Sequence, residues 1–211
     1  ALDVHLIANL GAYLGPATTH PVVGNIGGVI GVYNIPASHV RVEGVFTNTQ
    51  NVAPYRGAGR PEATYVIERI IDIAASKLGI DKIDLRRRNM IRPDQMPFKT
   101  GLVFTYDSGD FPAVLDAALS AADSAGFDAR KAVSLENGKL RGFGIANPIE
   151  IAGGPELTPH AEFASISIDP DGSIELLAGS SDTGQGHGTA FRQILHSRLG
   201  VDPSSITIVA G

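Results

Sequence analysis

Residues 165–200, "SISIDPDGSIELLAGSSDTGQGHGTAFRQILHSRLG", decide the fold class. Two runs alternate apolar and polar residues, and Asp169-Pro170-Asp171-Gly172 joins them with turn chemistry, so residues 161–180 read as a hairpin. A helix is expected over 184–199. Phe191, Ile194, Leu195 and Leu199 make its apolar stripe, Asp182 or Thr183 stands where a cap would, and Gly200 ends it. A short β-branched strand follows at 205–209. Strands and helices do not alternate strictly, so the fold class is α+β, with mixed sheets and packed helices.

Working back toward the N-terminus, "DFPAVLDAALSAADSAG" reads as an alanine-rich helix ended by Gly126. Residues 127–137 read as connective, and "LRGFGIANPIEIA" as a strand. The clearest helix starts near Pro61, which suits a first turn because its missing N–H would be unpaired there anyway. Glu62 complements the positive end of the helix dipole. Ala63, Val66, Ile67, Ile70, Ile71, Ala74 and Leu78 repeat at helical spacing, and Gly79 is placed for the C-terminal cap. A short helix capped by Asp81 runs to Asn89, with Arg86, Arg87 and Arg88 read as a solvated face. Residues 2–14 and 39–49 read as strands, and the Gly- and Pro-studded stretch between them as loop and short strand.

The chain has 211 residues, 43% hydrophobic and 18% charged, which is a globular composition. A formal net charge of -5 argues against nucleic acid as the main partner, since that role needs a basic field. No apolar run is long enough to span a bilayer, so no membrane role is expected. Cys 0 excludes disulfides, thiolate metal sites and a cysteine nucleophile within these residues. The chain begins inside a strand and stops as a strand ends. Residues 1–211 therefore read as a fragment of a longer protein, truncated at both ends, with a natural small domain as the other reading.

Two glycine loops carry the functional signal. In "DTGQGHGTA", residues 182–190, Gly184, Gly186 and Gly188 precede a helix whose first N–H groups lack intrahelical partners. A ligand can approach such a backbone closely, and Gln185 adds an amide with donor and acceptor capacity. The alternative is a well-capped helix after a tight turn. The spacing matches neither a P-loop nor a dinucleotide fingerprint. In "PYRGAGRPE", residues 54–62, the same layout recurs with Arg56 and Arg60 flanking the bend. Arginine forks suit oxyanions, although solvated surface arginines are the other reading. Together the two loops can clasp a large anionic cofactor from two sides, and the residues alone do not name it.

Several segments, in this order, resemble the large molybdenum-cofactor-binding subunit of the xanthine dehydrogenase / aldehyde oxidase family. They are "NLGAYLG", "PYRGAGRPEATYVIERIIDIAASKLGID", "LRRRNMI" and "DPDGSIELLAGSSDTGQGHGTAFRQI". Within that family the chain is similar to aerobic-type carbon monoxide dehydrogenase large subunits. The resemblance covers essentially the whole chain. It implies a cytoplasmic molybdenum hydroxylase holding molybdopterin, with cytosine dinucleotide as the expected form. Such an enzyme passes electrons to iron–sulfur and FAD partner subunits, and a homodimer is a further expectation.

The resemblance also assigns residues. Thr183, Gly184, Gln185, Gly186, His187 and Thr189 would bind pterin and pyrophosphate. Arg56 and Gly57 would lie near the metal's oxo ligands, and Ala58 would shape the substrate pocket. True carbon monoxide dehydrogenases carry a copper-binding cysteine in this loop, whereas Gly57 offers no sulfur. An aldehyde or N-heterocycle is therefore the expected small-molecule substrate. Carbon monoxide oxidation and a non-catalytic cofactor-binding module are the alternatives.

No catalytic residue is expected within this fragment, nor activity from it alone. The family's Gly-Gly-Gly-Phe-Gly segment and its general-base glutamate would lie in the rest of the large subunit. Glu43, Glu62, Glu68 and Glu150 read as structural, each a strand, helix-dipole or surface charge, and "LRGFG" at 140–144 as a chance likeness to the arginine loop. The six histidines show no metal-ligand spacing. His187 has the best functional claim among them. His196 reads as a helix residue, and His5, His20, His39 and His160 as strand or loop positions.

Overall fold

A computed structural model describes residues 1–24, 26–150 and 161–210. The architecture is α+β, and the chain divides into two units, residues 1–150 and 151–211.

In the first unit, β1 (Leu2–Gly11) pairs in parallel with β2 (Ser38–Phe46), with Val4 opposite Val40 and Leu6 opposite Val42. The long helix α1 (Arg60–Leu78) begins after Gly59 and ends at Gly79, whose left-handed conformation returns its N–H to the Ala75 carbonyl. Its buried face is narrower than the periodicity suggests. Ala63, Ile67 and Ala75 are buried, whereas Ile70 and Leu78 are exposed.

Helix α2 (Lys82–Asn89) is capped by Asp81, whose Oδ1 accepts from the N–H groups of Ile83 at 2.8 Å and Asp84 at 3.0 Å. A small hairpin, β3 (Phe98–Lys99) and β4 (Thr105–Tyr106), leads into α3 (Phe111–Ala121), capped by Asp110. The centre of the core lies outside all of these elements. Val29, Ile30, Val32 and Tyr33, at 2% exposure or less, sit on an irregular stretch between β1 and β2. Each such apolar side chain contributes about 1.5–3 kcal/mol by leaving water.

Four readings of the sequence are corrected here. First, Arg86 is not on a solvated face: it is fully buried. Its guanidinium lies 2.8 Å from Glu68 and 2.9 Å from Asp72, both on α1. It also donates to the carbonyls of Lys82 (3.1 Å), Glu68 (3.2 Å) and Ile145 (3.4 Å). Arg87 and Arg88 do lie on the exposed side. Second, Glu68 is the buried centre of that network, also accepting from the Tyr33 hydroxyl at 2.6 Å.

Third, residues 127–137 are not merely connective. Helix α4 (Phe127–Glu136) starts at Gly126, after Asp123 turns the chain in the left-handed region at φ 45. Fourth, residues 140–150 form no strand, and residues 151–152 lie outside the described residues. Side chains take the carbonyls that a neighbouring strand would have used. Lys82 Nζ donates to the Phe143 carbonyl at 2.9 Å, and Arg86 to that of Ile145.

The second unit is a three-stranded sheet with one helix. β5 (Ala164–Ile168) is antiparallel to β6 (Ile174–Ala178), and β6 is parallel to β7 (Ile206–Ala210). The β5–β6 turn is the expected one, with Gly172 at φ 87 and Ser173 bonded to Asp171. The intervening helix α5 (His187–Leu199) packs Leu195 against Ile174, Leu176 and Ile206. Its predicted stripe is divided: Phe191 packs on this cluster, while Ile194 and Leu199 are exposed.

Candidate functional site

The two glycine loops lie in different units, and each is built by different means. In the first, Tyr55 to Arg60 make two overlapping turns. Ala58 N–H donates to the Tyr55 carbonyl at 2.7 Å, and Arg60 N–H to that of Gly57 at 2.9 Å. Gly57, Ala58 and Gly59 are all left-handed, at φ 86, 43 and 96. For Ala58 that conformation costs roughly 1–2 kcal/mol, and strain of this kind persists only where surrounding structure enforces it.

What enforces it is packing within the chain. A Cβ on Gly59 would stand 1.8 Å from the Pro21 carbonyl oxygen, and one on Gly57 2.7 Å from the Pro61 ring. These two glycines are thus required by close intrachain approach. Arg60 serves the same end. Its side chain is 16% exposed and lies 2.8 Å from Glu150, so it anchors the start of α1. Arg56, in contrast, is exposed at the turn.

The second loop is organised around Asp182. Its Oδ1 accepts from the N–H groups of Gly184 (2.8 Å), Gln185 (2.9 Å) and Gly186 (3.3 Å), and its Oδ2 from that of His187 at 3.0 Å. The bond from Gly184 foremost, joined by those from His187, Gln185 and Gly186, holds the Asp182 carboxyl below the usual carboxylate range against the opposing effect of desolvation. The helix proper begins after Gly186, itself left-handed at φ 77. Of the two expected caps, Asp182 acts and Thr183 does not. Thr183 instead donates to Gln185 Oε1, from its N–H at 2.6 Å and its hydroxyl at 3.1 Å. Gln185 is therefore fixed by its oxygen, and its Nε2 makes no hydrogen bond among the described residues.

His187 stacks on Phe191 with ring centroids 4.9 Å apart. Its Nδ1 is buried and has no hydrogen-bond partner among the described residues. Thr189 is exposed, and its N–H donates to the Gly186 carbonyl at 3.1 Å.

The donor set tests what this loop suits. Gln185 Nε2 and the exposed Thr189 hydroxyl match a ligand rich in carbonyl, ring-nitrogen and oxo acceptors, which a pterin is. The buried Nδ1 of His187 is one more polar atom lacking a partner among the described residues. Among the described residues no cluster of three His, Cys, Asp or Glu side chains could hold a metal ion directly. No helix among the described residues is long and apolar enough to cross a membrane.

Sequence reasoning missed two features. The role of Asp182 as acceptor for four loop amides was legible only as a generic cap, although Asp-x-Gly-x-Gly before a helix is a usable signal for it. The engagement of Arg60 by Glu150 has no local signal, since 90 residues separate them.

Comparison with known proteins also divides the chain in two, but at a different place. Residues 1–90 match a family model described as a molybdopterin cofactor-binding domain, and residues 117–211 match a second model of the same description. The second span begins within α3, so residues 117–150 match it while packing in the first unit.

The chain is 36% identical over 193 residues to the carbon monoxide dehydrogenase large chain of Hydrogenophaga pseudoflava, covering 86% of this chain and 24% of that one. It is 30% identical over 218 residues to the nicotine 6-hydroxylase large subunit of Paenarthrobacter nicotinovorans, covering 98% and 26%. The crystal structure of quinoline 2-oxidoreductase from Pseudomonas putida 86 superposes with a TM-score of 0.82 at 29% identity, covering 100% of this chain and 28% of that one. The chain thus spans about a quarter of the length of the curated relatives it matches.

Proposed function

The chain belongs to the molybdopterin cofactor-binding family, and we propose that it is part of the large subunit of a molybdenum hydroxylase acting on an N-heterocycle or an aldehyde. In this reading Thr183, Gly184, Gln185, Gly186, His187 and Thr189 contact the cofactor, as do Arg56, Gly57 and Ala58. When bound, the cofactor supplies a molybdenum centre that adds oxygen from water to carbon and accepts two electrons. The protein's part is orientation. Gln185, locked through its oxygen by Thr183, offers Nε2 as a fixed donor. Arg56 brings a permanent positive charge to an exposed turn that Arg60 anchors.

The observation that carries the substrate class is at Gly57. The family resemblance puts a copper-binding cysteine in this loop in carbon monoxide dehydrogenases. Here φ is 86, and a Cβ would stand 2.7 Å from the Pro61 ring. The loop both lacks the sulfur and leaves no room for it. Relatives named for nicotine and quinoline share the chain's full span, so identity to a carbon monoxide dehydrogenase does not decide the substrate.

The rest of the proposal follows the family: the cytosine dinucleotide form of the cofactor, a cytoplasmic complex with iron–sulfur and FAD subunits, a possible pairing of two large subunits, and residues 1–211 as a fragment of the cofactor-binding domain. The test is to assemble the complete complex and assay a panel of aldehydes and N-heterocycles beside carbon monoxide. Molybdenum per subunit is measured in wild type, Arg56→Ala and Gln185→Ala. The expected result is hydroxylation without copper and lowered molybdenum in both variants. Copper-dependent carbon monoxide oxidation, or unchanged molybdenum in both variants, overturns the proposal.

A further inference from the structure

We propose that Asp182 is a positioning residue of the cofactor loop: its carboxylate occupies the backbone donors of Gly184 to His187, so the loop recognises its ligand through the Gln185 amide and not by cradling a phosphate. This rests on the reading of the loop as part of the cofactor site. A glycine-rich helix start ordinarily invites an anion, because its N–H groups are unpaired and carry partial positive charge. In this chain the anion is built in. Both oxygens of one carboxylate are used, Oδ1 by three consecutive amides at 2.8, 2.9 and 3.3 Å and Oδ2 by the next at 3.0 Å. A phosphate entering the same donors would have to displace a charge already bonded to them, and like charges at that separation repel.

The same arrangement fixes Gln185. Its backbone N–H is tied to Asp182, and its side-chain oxygen accepts from Thr183 on both the N–H and the hydroxyl. Backbone and side chain are thus held from two sides, and the remaining donor, Nε2, has its direction set before any ligand arrives. Preorganisation of this kind reduces the ordering cost of binding. The ligand group that suits a lone amide N–H is a neutral or weakly charged acceptor: a carbonyl, a ring nitrogen or an oxo group.

The experiment uses the complete enzyme and reads two quantities, amide hydrogen exchange across residues 182–190 and molybdenum per large subunit. Asp182→Ala removes all four acceptor bonds, and exchange at residues 184–187 is expected to rise about tenfold or more, with loss of most of the molybdenum. Asp182→Asn keeps Oδ1 and forfeits only the bond from His187, so it is expected to stay within about threefold of wild type in exchange and to retain most of the metal. In cofactor-free enzyme, millimolar inorganic pyrophosphate is expected to leave exchange at 184–187 unchanged in wild type.

Wild-type exchange in Asp182→Ala overturns the proposal. So does an Asp182→Asn variant as damaged as Asp182→Ala, or slowed exchange in wild type with pyrophosphate. Gln185→Ala separates this proposal from the reading beneath it. Full molybdenum in that variant sinks the cofactor assignment of the loop, while the exchange data still test the hold of Asp182 on the backbone.

Discussion

Arg86 Nη2 lies 2.8 Å from Glu68 Oε2, with both side chains buried, and this pair joins α1, α2 and the segment at Ile145. Burial by itself opposes charging Arg86. The bonds to Glu68 and Asp72 outweigh it, and the guanidinium is held charged more firmly than usual. The Tyr33 hydroxyl, bonded to Glu68 at 2.6 Å, completes the cluster, and its pKa is driven up by burial first and by Glu68 second.

Removing one member of this pair leaves the other as an uncompensated buried charge. Arg86→Ala is expected to cost about 3–5 kcal/mol, and Glu68→Ala a similar amount. Arg87→Ala, on the exposed side of the same helix, is expected to cost about 0–1 kcal/mol. Denaturant midpoints of the three variants check the contrast. Similar values for Arg86 and Arg87 would contradict the buried network.

Tyr106 supplies a pH dependence with a definite sign. Its hydroxyl donates to the Gly31 carbonyl at 2.8 Å, and burial pushes its pKa up to about 12. The folded state therefore holds this proton more tightly than the unfolded chain, in which tyrosine ionises near its ordinary value of 10.0. The resulting stability is fully present below about pH 10 and is lost as the pH rises from there through about 12, a change of roughly 2–3 kcal/mol. Tyr106→Phe should flatten that alkaline limb. Identical slopes in wild type and variant between pH 10 and 12 would remove Tyr106 as its cause.

The left-handed run at residues 57–59 makes opposite predictions for neighbouring positions. Gly59→Ala puts a Cβ 1.8 Å from the Pro21 carbonyl oxygen, and Gly57→Cys puts one 2.7 Å from the Pro61 ring. Each is expected to cost about 2 kcal/mol or more, and Gly57→Cys is expected to bring no carbon monoxide oxidation even with copper supplied. Ala58→Gly relieves the strain at φ 43 and is expected to be neutral or to stabilise by up to about 1 kcal/mol. Thermal unfolding of the three variants orders them. An Ala58→Gly variant as unstable as Gly59→Ala would mean that the Ala58 side chain has a packing role outweighing its strain.

The legible parts of this fold are those whose causes are local. Asp81 before a helix, Gly79 after one and Asp169 to Gly172 between two alternating runs each act within a few residues, and each does what its neighbours predict. Gly126 does not end the alanine-rich helix as its sequence suggests, for a physical reason: glycine serves either end of a helix, and here it opens α4 after a 3-10 turn instead of closing α3. Arg86 was hidden because its partners lie on another helix, and a triplet of arginines looks solvated from within its own segment. The strand-like pattern at 140–150 failed because strands need neighbours, and Lys82 and Arg86 took the carbonyls instead. At the candidate site both loops were legible as glycine turns before helices. The engagement of Arg60 was not, because it depends on Glu150.

That engagement is itself testable. Arg60 is 16% exposed and lies 2.8 Å from Glu150, whose own side chain is 57% exposed. The pair is half-shielded, so its intrinsic worth is modest, about 1 kcal/mol after solvent screening. Its leverage is geometric, since Arg60 opens α1 and follows directly on the strained Gly57–Gly59 turn that carries Arg56. Arg60→Ala is expected to lower stability only slightly yet to reduce molybdenum content, because the turn loses its anchor. Glu150→Gln keeps an oxygen acceptor for Arg60 Nε and should retain more molybdenum than Arg60→Ala. Arg56→Ala is expected to lower molybdenum. Metal analysis and melting temperature measured on the same three preparations decide the matter. If Arg60→Ala keeps full molybdenum at reduced stability, the ion pair supports the fold alone and the site does not depend on it.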